Sequence, residues 1–459
     1  MFDAPIWLVY IACFFVVYYF ARKISQGFWQ KADNAVANVI ICVGSLAIYA
    51  CYSMSASVIL LFVGTILYYY SQQEITVRAV VGPIFIAMAI LFLAVVKYWN
   101  FAAQLMNINI THNYYLIGIS FYVFTFIGYI VDTAYRRHEP MPKFSDVMIL
   151  LSLWPHLAAG PILRIENIRQ YINEKLKLDF LHFRLAAILI IGGLGKKFFL
   201  ADNLGYYVNH GIATGITHMN GLEALAILLG FTGQIYFDFS GYSDMALGLA
   251  ALMGFRLPAN FNYPYLSTSL AEFWSRWHIS LSSWFRDYLY IPLGGSRRGS
   301  MYINLLVVFM ISGLWHGAAL HFIMWGVIHG SLLCVEKCGM QFLEKIPKFF
   351  RWLYTFAIVT FAWGWFRLEN SDAKNIAKKI LQFRTYADYD INISKYLVVP
   401  LCFFLLFLFI DHKIKYYKVA EDGFVNTDIS AKAYLYITVL FVGMVFFGPA
   451  KLPFIYFQF

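Results

Sequence analysis

Apolar residues run in long blocks through the first third of the chain, near Pro5–Ala21, Val36–Tyr52, Val58–Tyr70, Ala79–Trp99 and Tyr114–Tyr135. A helix needs about 20 residues to cross a hydrocarbon core of about 30 Å. The blocks therefore predict membrane-spanning helices joined by short polar loops. No small-residue cleavage site follows the first block, which is expected to be a retained span rather than a signal peptide.

Beyond Phe144 the pattern changes, because Pro, Gly, His and Asp interrupt stretches that a plain span would fill with Leu, Ile and Phe. Broken or re-entrant helices are expected there. Irregular backbone at membrane depth is tolerated only where it is buried in protein or lines a cavity, so the interruptions mark the expected working centre. The first is Trp154-Pro155-His156 leading into Ala159-Gly160-Pro161, the second Gly192 to Lys197, and the third Gly233 to Asp244, which reads GQIYFDFSGYSD. The second lacks P-loop spacing and a preceding strand, which excludes a nucleotide site of that kind.

From Glu272 to Tyr290 a helical wheel separates Arg276, Ser280, Ser283 and Asp287 from Trp274, Trp277, Leu281, Trp284, Phe285 and Tyr288. That division predicts one interfacial amphipathic helix, with His278 at the edge of its aromatic face. Helical runs resume at Tyr302–Trp315 and Ala318–Cys334, and between them Gly313 and Gly317 permit close helix approach. Further spans are expected near Trp352–Arg367, Tyr396–Ile410 and Tyr434–Phe447. The reading is an all-α polytopic membrane protein of about 11 to 13 embedded helices. It forms a single domain over 1–459, with N-terminal spans in 1–143, the working centre in 144–335 and C-terminal spans in 336–459.

Composition strengthens this reading. Hydrophobic residues make up 61% of the chain and charged ones 13%, where a soluble domain carries about 25% charged. Mean hydropathy is +0.63. A soluble globule is excluded. The net charge of +10 serves partly as a topology signal. Arg22, Lys23, Lys31, Arg78, Arg136, Arg137 and Lys143 follow odd-numbered spans, and only Lys97 lies at an even-numbered end. Basic loops stay cytoplasmic, so the N-terminus is expected to face outward. No isolated block of basic residues points to nucleic acid. The six cysteines lie in or beside apolar runs and read as packing residues, with no CxxC or zinc spacing among them.

Several chemistries are absent. Gly241-Tyr242-Ser243-Asp244-Met245 lacks the closing glycine of a nucleophile elbow, and no HExxH metal helix occurs. His316, flanked by apolar residues, reads either as a general base or as a buried structural histidine bonded to a carbonyl. His321 and His329 do not share a helix face, and no metal site is expected. Asp238, Ser240 and Asp244 read either as ligand-binding groups or, for the carboxylates, as partners of Lys196, Lys197 or an arginine that hold helices together. Arg276, Arg286, Arg297 and Arg298 could clamp a phosphate or mark the cytoplasmic face.

Taken in order, SFYVFTFIGYIVD (Ser120–Asp132), LAAGPILR (Leu157–Arg164), GKKFFLADNL (Gly195–Leu204), QIYFDFSGYSDMALGLA (Gln234–Ala250), FRLPANFNYPY (Phe255–Tyr265), FWSRWHISLSSWFRDYLYIPLGG (Phe273–Gly295) and SGLWHGAALHFIMWGVIHG (Ser312–Gly330) resemble the membrane-bound O-acyltransferase family. WGWFR (Trp363–Arg367) and the FIYFQF tail (Phe454–Phe459) extend the likeness, whereas the first hundred residues match only in hydropathy. The histidine in RWHISLSSWFRDYLYIPLGG is similar to that of the bacterial branch acting on cell-surface polymers such as alginate, peptidoglycan and teichoic acid.

The resemblance implies a ring of helices around a thin central partition, with a funnel on each side meeting near His316. The family's two functional histidines map onto His316, the more essential, and His278. Arg276, Trp277, Arg286, Asp238, Ser240, Asp244 and Trp315 complete the expected substrate- and donor-binding set. No bound cofactor is implied; the co-substrate is an acyl thioester, either acetyl-CoA or a carrier-protein phosphopantetheine. The donor would enter from the cytoplasm and the acceptor from outside a bacterial inner membrane. A periplasmic SGNH-like transferase or esterase is the expected partner, since this chain carries no such domain. D-alanyl transfer from a carrier protein is the alternative, and chain length favours acetylation. A transporter is the third reading, though the paired short segments in two related halves are missing.

Overall fold

The computed structural model describes residues 5–28, 33–51, 53–106, 118–135, 141–157, 160–173, 180–382, 405, 418–419, 425–426, 431–447 and 452. Most of its described residues are helical; the rest lie in turns, in irregular segments such as 255–263, and in one small hairpin, β1 (Lys418–Val419) antiparallel to β2 (Val425–Asn426). The expected N-terminal blocks form α1 (Pro5–Phe28), α2 (Asp33–Ala50), α3 (Met54–Ser71), α4 (Ile75–Leu105) and α5 (Ile119–Tyr135). The span expected at Tyr396–Ile410 lies outside the described residues except for Leu405.

Met54–Ser71, Ile75–Trp99 and Gly221–Leu252 are long and apolar enough to cross a membrane, and Ala35–Ala50, Ile119–Tyr135, Met301–His316 and Tyr434–Phe446 are shorter apolar helices. They divide by what surrounds them. Only 11% of the Ile75–Trp99 window is buried, so Val80, Met88, Leu91 and Val95 turn outward, as lipid-facing residues do. In Gly221–Leu252 the buried share is 78%, which makes that helix a core element.

The chain divides into two compact units. The first comprises Met1–Ala187 and Ala246–Pro258. It holds α1 to α5, α6 (Phe144–Ser152), α7 (Trp154–Leu157) and α8 (Ile165–Asn173). Here the break expected at Trp154-Pro155 is present: α6 stops at Ser152, and α7 restarts for four residues. Tyr18 and Tyr19 on α1 donate their hydroxyls to the carbonyls of Met253 and Leu252 at 2.7 and 2.6 Å, which ties the later segment into this unit.

The second unit comprises Ile188–Met245 and Ala259–Phe459. Helix α9 (Phe180–Leu194) runs on into a π-helical turn at Gly195–Ala201 and then α10 (Asp202–Ala213), so the glycines at 192–195 alter the helix without breaking it. The third expected interruption is absent. Gly233 to Asp244 lies wholly within α11 (Gly221–Leu252), which starts at a reciprocal cap: the Asn220 side chain accepts from the Leu222 and Glu223 amides, and Glu223 accepts from the Asn220 amide, all at 2.9 Å. The helix continues through its polar stretch because buried cations answer the carboxylates. Lys196 Nζ lies 3.1 Å from Asp244, and Lys197 Nζ lies 2.7 Å from both Asp238 and Asp202.

The expected single helix over Glu272–Tyr290 is also corrected. Helix α12 (Leu270–Arg276) ends at Trp277, α13 (Ile279–Phe285) begins after His278, and a π-helical turn follows at Arg286–Tyr290. An irregular segment before α12 bonds across the break. Ile279 N donates to Asn260 O and Asn262 N donates to Arg276 O, both at 2.9 Å, so backbone bonds from outside replace bonds that a continuous helix would make.

Helices α14 (Met301–His316) and α15 (Leu320–Cys338) form a hairpin with three residues between them, followed by α16 (Met340–Leu343), α17 (Lys348–Arg367) and α18 (Asn370–Gln382). Gly313 and Gly326 make the hairpin tight. A Cβ on Gly313 would collide with the Phe322 carbonyl, and one on Gly326 with the Phe309 carbonyl. Backbone meets backbone at both points, so neither neighbour can rotate away. Gly326→Ala is expected to destabilise the protein by about 1–3 kcal/mol through overpacking, read as a lowered thermal midpoint in detergent. An unchanged midpoint would show that the helices can part without cost.

Candidate active site

His316 is the last residue of α14 and is 6% exposed. Aromatic rings wall it in: Trp315 at 4.7 Å between centroids, Phe366 at 4.9 Å and Trp325 at 5.1 Å, each edge to face. His278 is 1% exposed and lies edge to face with Phe239 at 4.7 Å. The same Trp315 ring that contacts His316 lies 6.4 Å from His278. The two histidines singled out in the sequence are thus brought to one place, on a shared tryptophan.

His278 sits in the left-handed region, at φ +43° and ψ +55°. For a residue with a side chain this costs of the order of 1–3 kcal/mol and persists only where surrounding bonds over-determine it. Asn260 supplies them. Beyond its carbonyl bond to Ile279, its side-chain Oδ1 accepts from the Ser280 amide at 3.3 Å and the Ser280 hydroxyl at 2.9 Å, and meets His278 Nδ1 at 3.1 Å. Its Nδ2 faces Ser243 Oγ on α11 at 3.4 Å. Sequence reasoning missed Asn260, which carries no charge and lies inside a segment without helical period.

The start of α12 is fixed from three sides. Ser269 Oγ accepts from the Glu272 amide at 3.0 Å, and the Glu336 carboxylate reaches from α15 to accept from the Leu270 amide at 2.9 Å. Burial pushes the Glu272 carboxyl up, but hydrogen bonds from the Thr268 amide and hydroxyl, with the charges of Arg276 and Arg351, hold it below the usual carboxylate range. Arg276 pairs with Glu272 at 2.6 Å, and Arg286 bonds its neighbour Asp287 at 2.8 Å. Arg297 and Arg298 are exposed.

Below these elements lies a cavity of about 510 Å³, within the usual range for a small-molecule site. Exposed Ser275, Arg286, Ser296, Lys337 and Glu344 form its rim, and buried Leu281, Phe285, Val308 and Ser312 line its depth. Ser312 is one helical turn before His316 on the same face of α14, and Ile279, also in the lining, adjoins His278. Of the residues expected to bind substrate, Arg286 lies on this cavity. Asp238 and Asp244 are taken up by Lys197 and Lys196, Ser240 is buried on the same helix, and Trp277 is packed against Phe261, Phe273 and Trp363.

A family model described as MBOAT, membrane-bound O-acyltransferase family, matches residues 132–368, just over half of the chain. The "Probable alginate O-acetylase AlgI" of Pseudomonas fluorescens is 43% identical over 274 residues, covering 59% of this chain and 54% of that protein. Its namesake in Pseudomonas aeruginosa is 34% identical over 390 residues, 80% of this chain and 74% of the relative. A "Peptidoglycan O-acetyltransferase" of Helicobacter pylori is 34% identical over 298 residues, 58% of this chain and 56% of the relative. The aligned part of this chain thus spans a little over half the length of the first and third of these proteins. The matched region contains α6 to α17, including both histidines, Asn260 and every residue of the cavity, and the chain belongs to the membrane-bound O-acyltransferase family.

Proposed function

We propose that the protein is an O-acetyltransferase of bacterial cell-surface polysaccharide, of the alginate or peptidoglycan kind, which takes acetyl from a cytoplasmic thioester. The observation that carries this reading is the cavity, whose charged rim leads down an apolar wall to Ser312, one turn from His316. A thioester donor has that shape: an anionic head that stays at the surface and a thin, weakly polar arm ending in the reactive carbonyl. Arg286, Lys337 and Arg351 meet the head by charge and hydrogen bonding.

His316 acts as general base. Its lone-pair nitrogen takes the proton of the acceptor hydroxyl as that oxygen attacks the thioester carbonyl carbon. The new C–O bond forms, the C–S bond breaks, and the departing thiolate recovers the proton from the imidazolium, so the histidine is restored. The aromatic wall of Trp315, Trp325 and Phe366 keeps water from competing for the acyl group. The acceptor arrives from the opposite face of the inner membrane, by way of a periplasmic SGNH-like transferase that passes acetyl to the polymer, with the N-terminus of this chain on that same outer side.

The test supplies purified protein with labelled acetyl-CoA or a D-alanyl carrier protein, together with a periplasmic acceptor. Acetyl transfer is expected. Filling the cavity with Val308→Trp is expected to raise the donor KM tenfold or more while the thermal midpoint holds. Transfer of D-alanine alone, or an unchanged KM, would overturn the reading.

A further inference from the structure

We infer that Asn260 is a positioning residue that fixes His278 as the Nδ1–H tautomer and so leaves the lone pair of the ring on Nε2. The orientation of the Asn260 amide is set by its partners, because its oxygen and nitrogen are alike in shape. The Ser280 backbone amide, which can only donate, points at one end of that group from 3.3 Å. That end must be the carbonyl oxygen. The Ser280 hydroxyl, 2.9 Å from the same atom, is consistent with it, and the nitrogen end is left to donate toward Ser243 Oγ.

An amide oxygen has no proton to give. His278 Nδ1, 3.1 Å from Asn260 Oδ1, must therefore carry the hydrogen that joins them. A neutral imidazole has one N–H, so protonation of Nδ1 leaves Nε2 as the acceptor and base. The backbone supports the same arrangement. The Asn260 carbonyl holds the Ile279 amide at 2.9 Å beside His278, which is in its left-handed conformation between α12 and α13, so one residue bonds both the ring and the main chain next to it.

Asn260 is matched to this task in a way that its neighbours in size are not. Leu would leave Nδ1 without an acceptor and let the two tautomers interchange. Asp would keep an acceptor facing Nδ1 and the Ser280 amide but add a charge that favours imidazolium. The two substitutions separate tautomer control from simple packing.

The tautomer itself is independent of the proposed acyl transfer, whereas its value to the reaction rests on that reading. The primary test is therefore spectroscopic. Full-length protein carrying ¹⁵N-histidine, in detergent or nanodiscs, is compared with His278→Gln to assign the His278 signals, and the ¹⁵N shifts report which ring nitrogen bears the proton. An Nδ1–H signal for His278 is expected. An Nε2–H signal would overturn the proposal without any activity measurement.

In the second arm, Asn260→Leu is expected to lower kcat by about 10²-fold or more with little change in donor KM, a general acid–base magnitude. Asn260→Asp is expected to retain activity within about tenfold of the parent. It should also move the acid limb of the pH–rate profile upward, because a carboxylate beside Nδ1 stabilises the protonated ring. Equal losses in both variants with an unmoved pH profile would reduce Asn260 to a packing role and overturn its function in positioning. Absence of transfer in the unaltered protein, with the Nδ1–H signal present, would instead overturn the proposed function and leave the tautomer standing.

Discussion

Replacement of His316 by Asn is expected to lower acyl transfer by about 10²–10⁴-fold, the contribution of a positioned general base. The histidine has no room to be replaced by water, since Trp315, Trp325 and Phe366 press on it within 4.7 to 5.1 Å and it is 6% exposed. Asn keeps a polar group of similar bulk inside that wall while removing the basic nitrogen, so the fold should persist. Labelled-donor transfer is measured beside the thermal midpoint. A variant that transfers within tenfold of the parent would remove His316 from the chemistry, and one that fails to insert would be replaced by His316→Gln. His278→Gln is the companion measurement, and a smaller loss there would agree with an orienting role for that ring.

The largest effect on stability is expected at Lys197. Its ammonium lies between Asp202 and Asp238, at 2.7 Å from each, and also donates to the Leu452 carbonyl at 2.9 Å, with about 2% of its side chain exposed. Lys197→Met removes the only one of these groups that can neutralise both carboxylates, and breaking a buried pair of this kind costs about 3–5 kcal/mol. By contrast Arg276 and Glu272 are each about a third exposed, and Arg276→Ala should cost about 0–1 kcal/mol, because solvent screens the pair. Denaturant or thermal unfolding of the three proteins in one detergent compares them directly. Equal midpoints for Lys197→Met and the parent would mean that the carboxylates are already protonated and that the lysine holds nothing together.

The contrast between those two pairs also explains what the sequence could and could not reveal. Hydropathy located α1 to α5, since lipid-facing residues such as Met88 and Leu91 need no partner within the chain and their pattern is legible by itself. His316 was legible for the opposite reason, as an ionisable group in an apolar run, which needs an explanation. At Gly233–Asp244 the sequence offered Lys196 and Lys197 as partners of the carboxylates, but not that this pairing lets the helix run on unbroken. Lys196 and Lys197 are more than 40 residues from Asp238 and Asp244, and without them beside the helix a break is the sensible expectation. The break at His278 was hidden likewise. Residues 272–290 have the period of an amphipathic helix, and only the backbone bonds from Asn260 and Asn262 interrupt it. Neither asparagine carries a signal that periodicity or charge could detect. The cavity emerged only when α12, α13 and the α14–α15 hairpin were placed together, and of the expected ligand-binding residues only Arg286 lines it.

The hairpin also bears on how the candidate site comes together within the chain. Helices α14 and α15 are joined by three residues and locked by Gly313 and Gly326, while the clasp on His278 comes from Asn260, 18 positions upstream. Both histidines, the tryptophan they share and the amide that holds one of them therefore come from a single stretch of fewer than sixty residues. Bringing these residues together closes only loops of fewer than sixty residues, whereas Phe239 on α11 and Phe366 on α17, in the wall around the two rings, are added by helices outside that stretch.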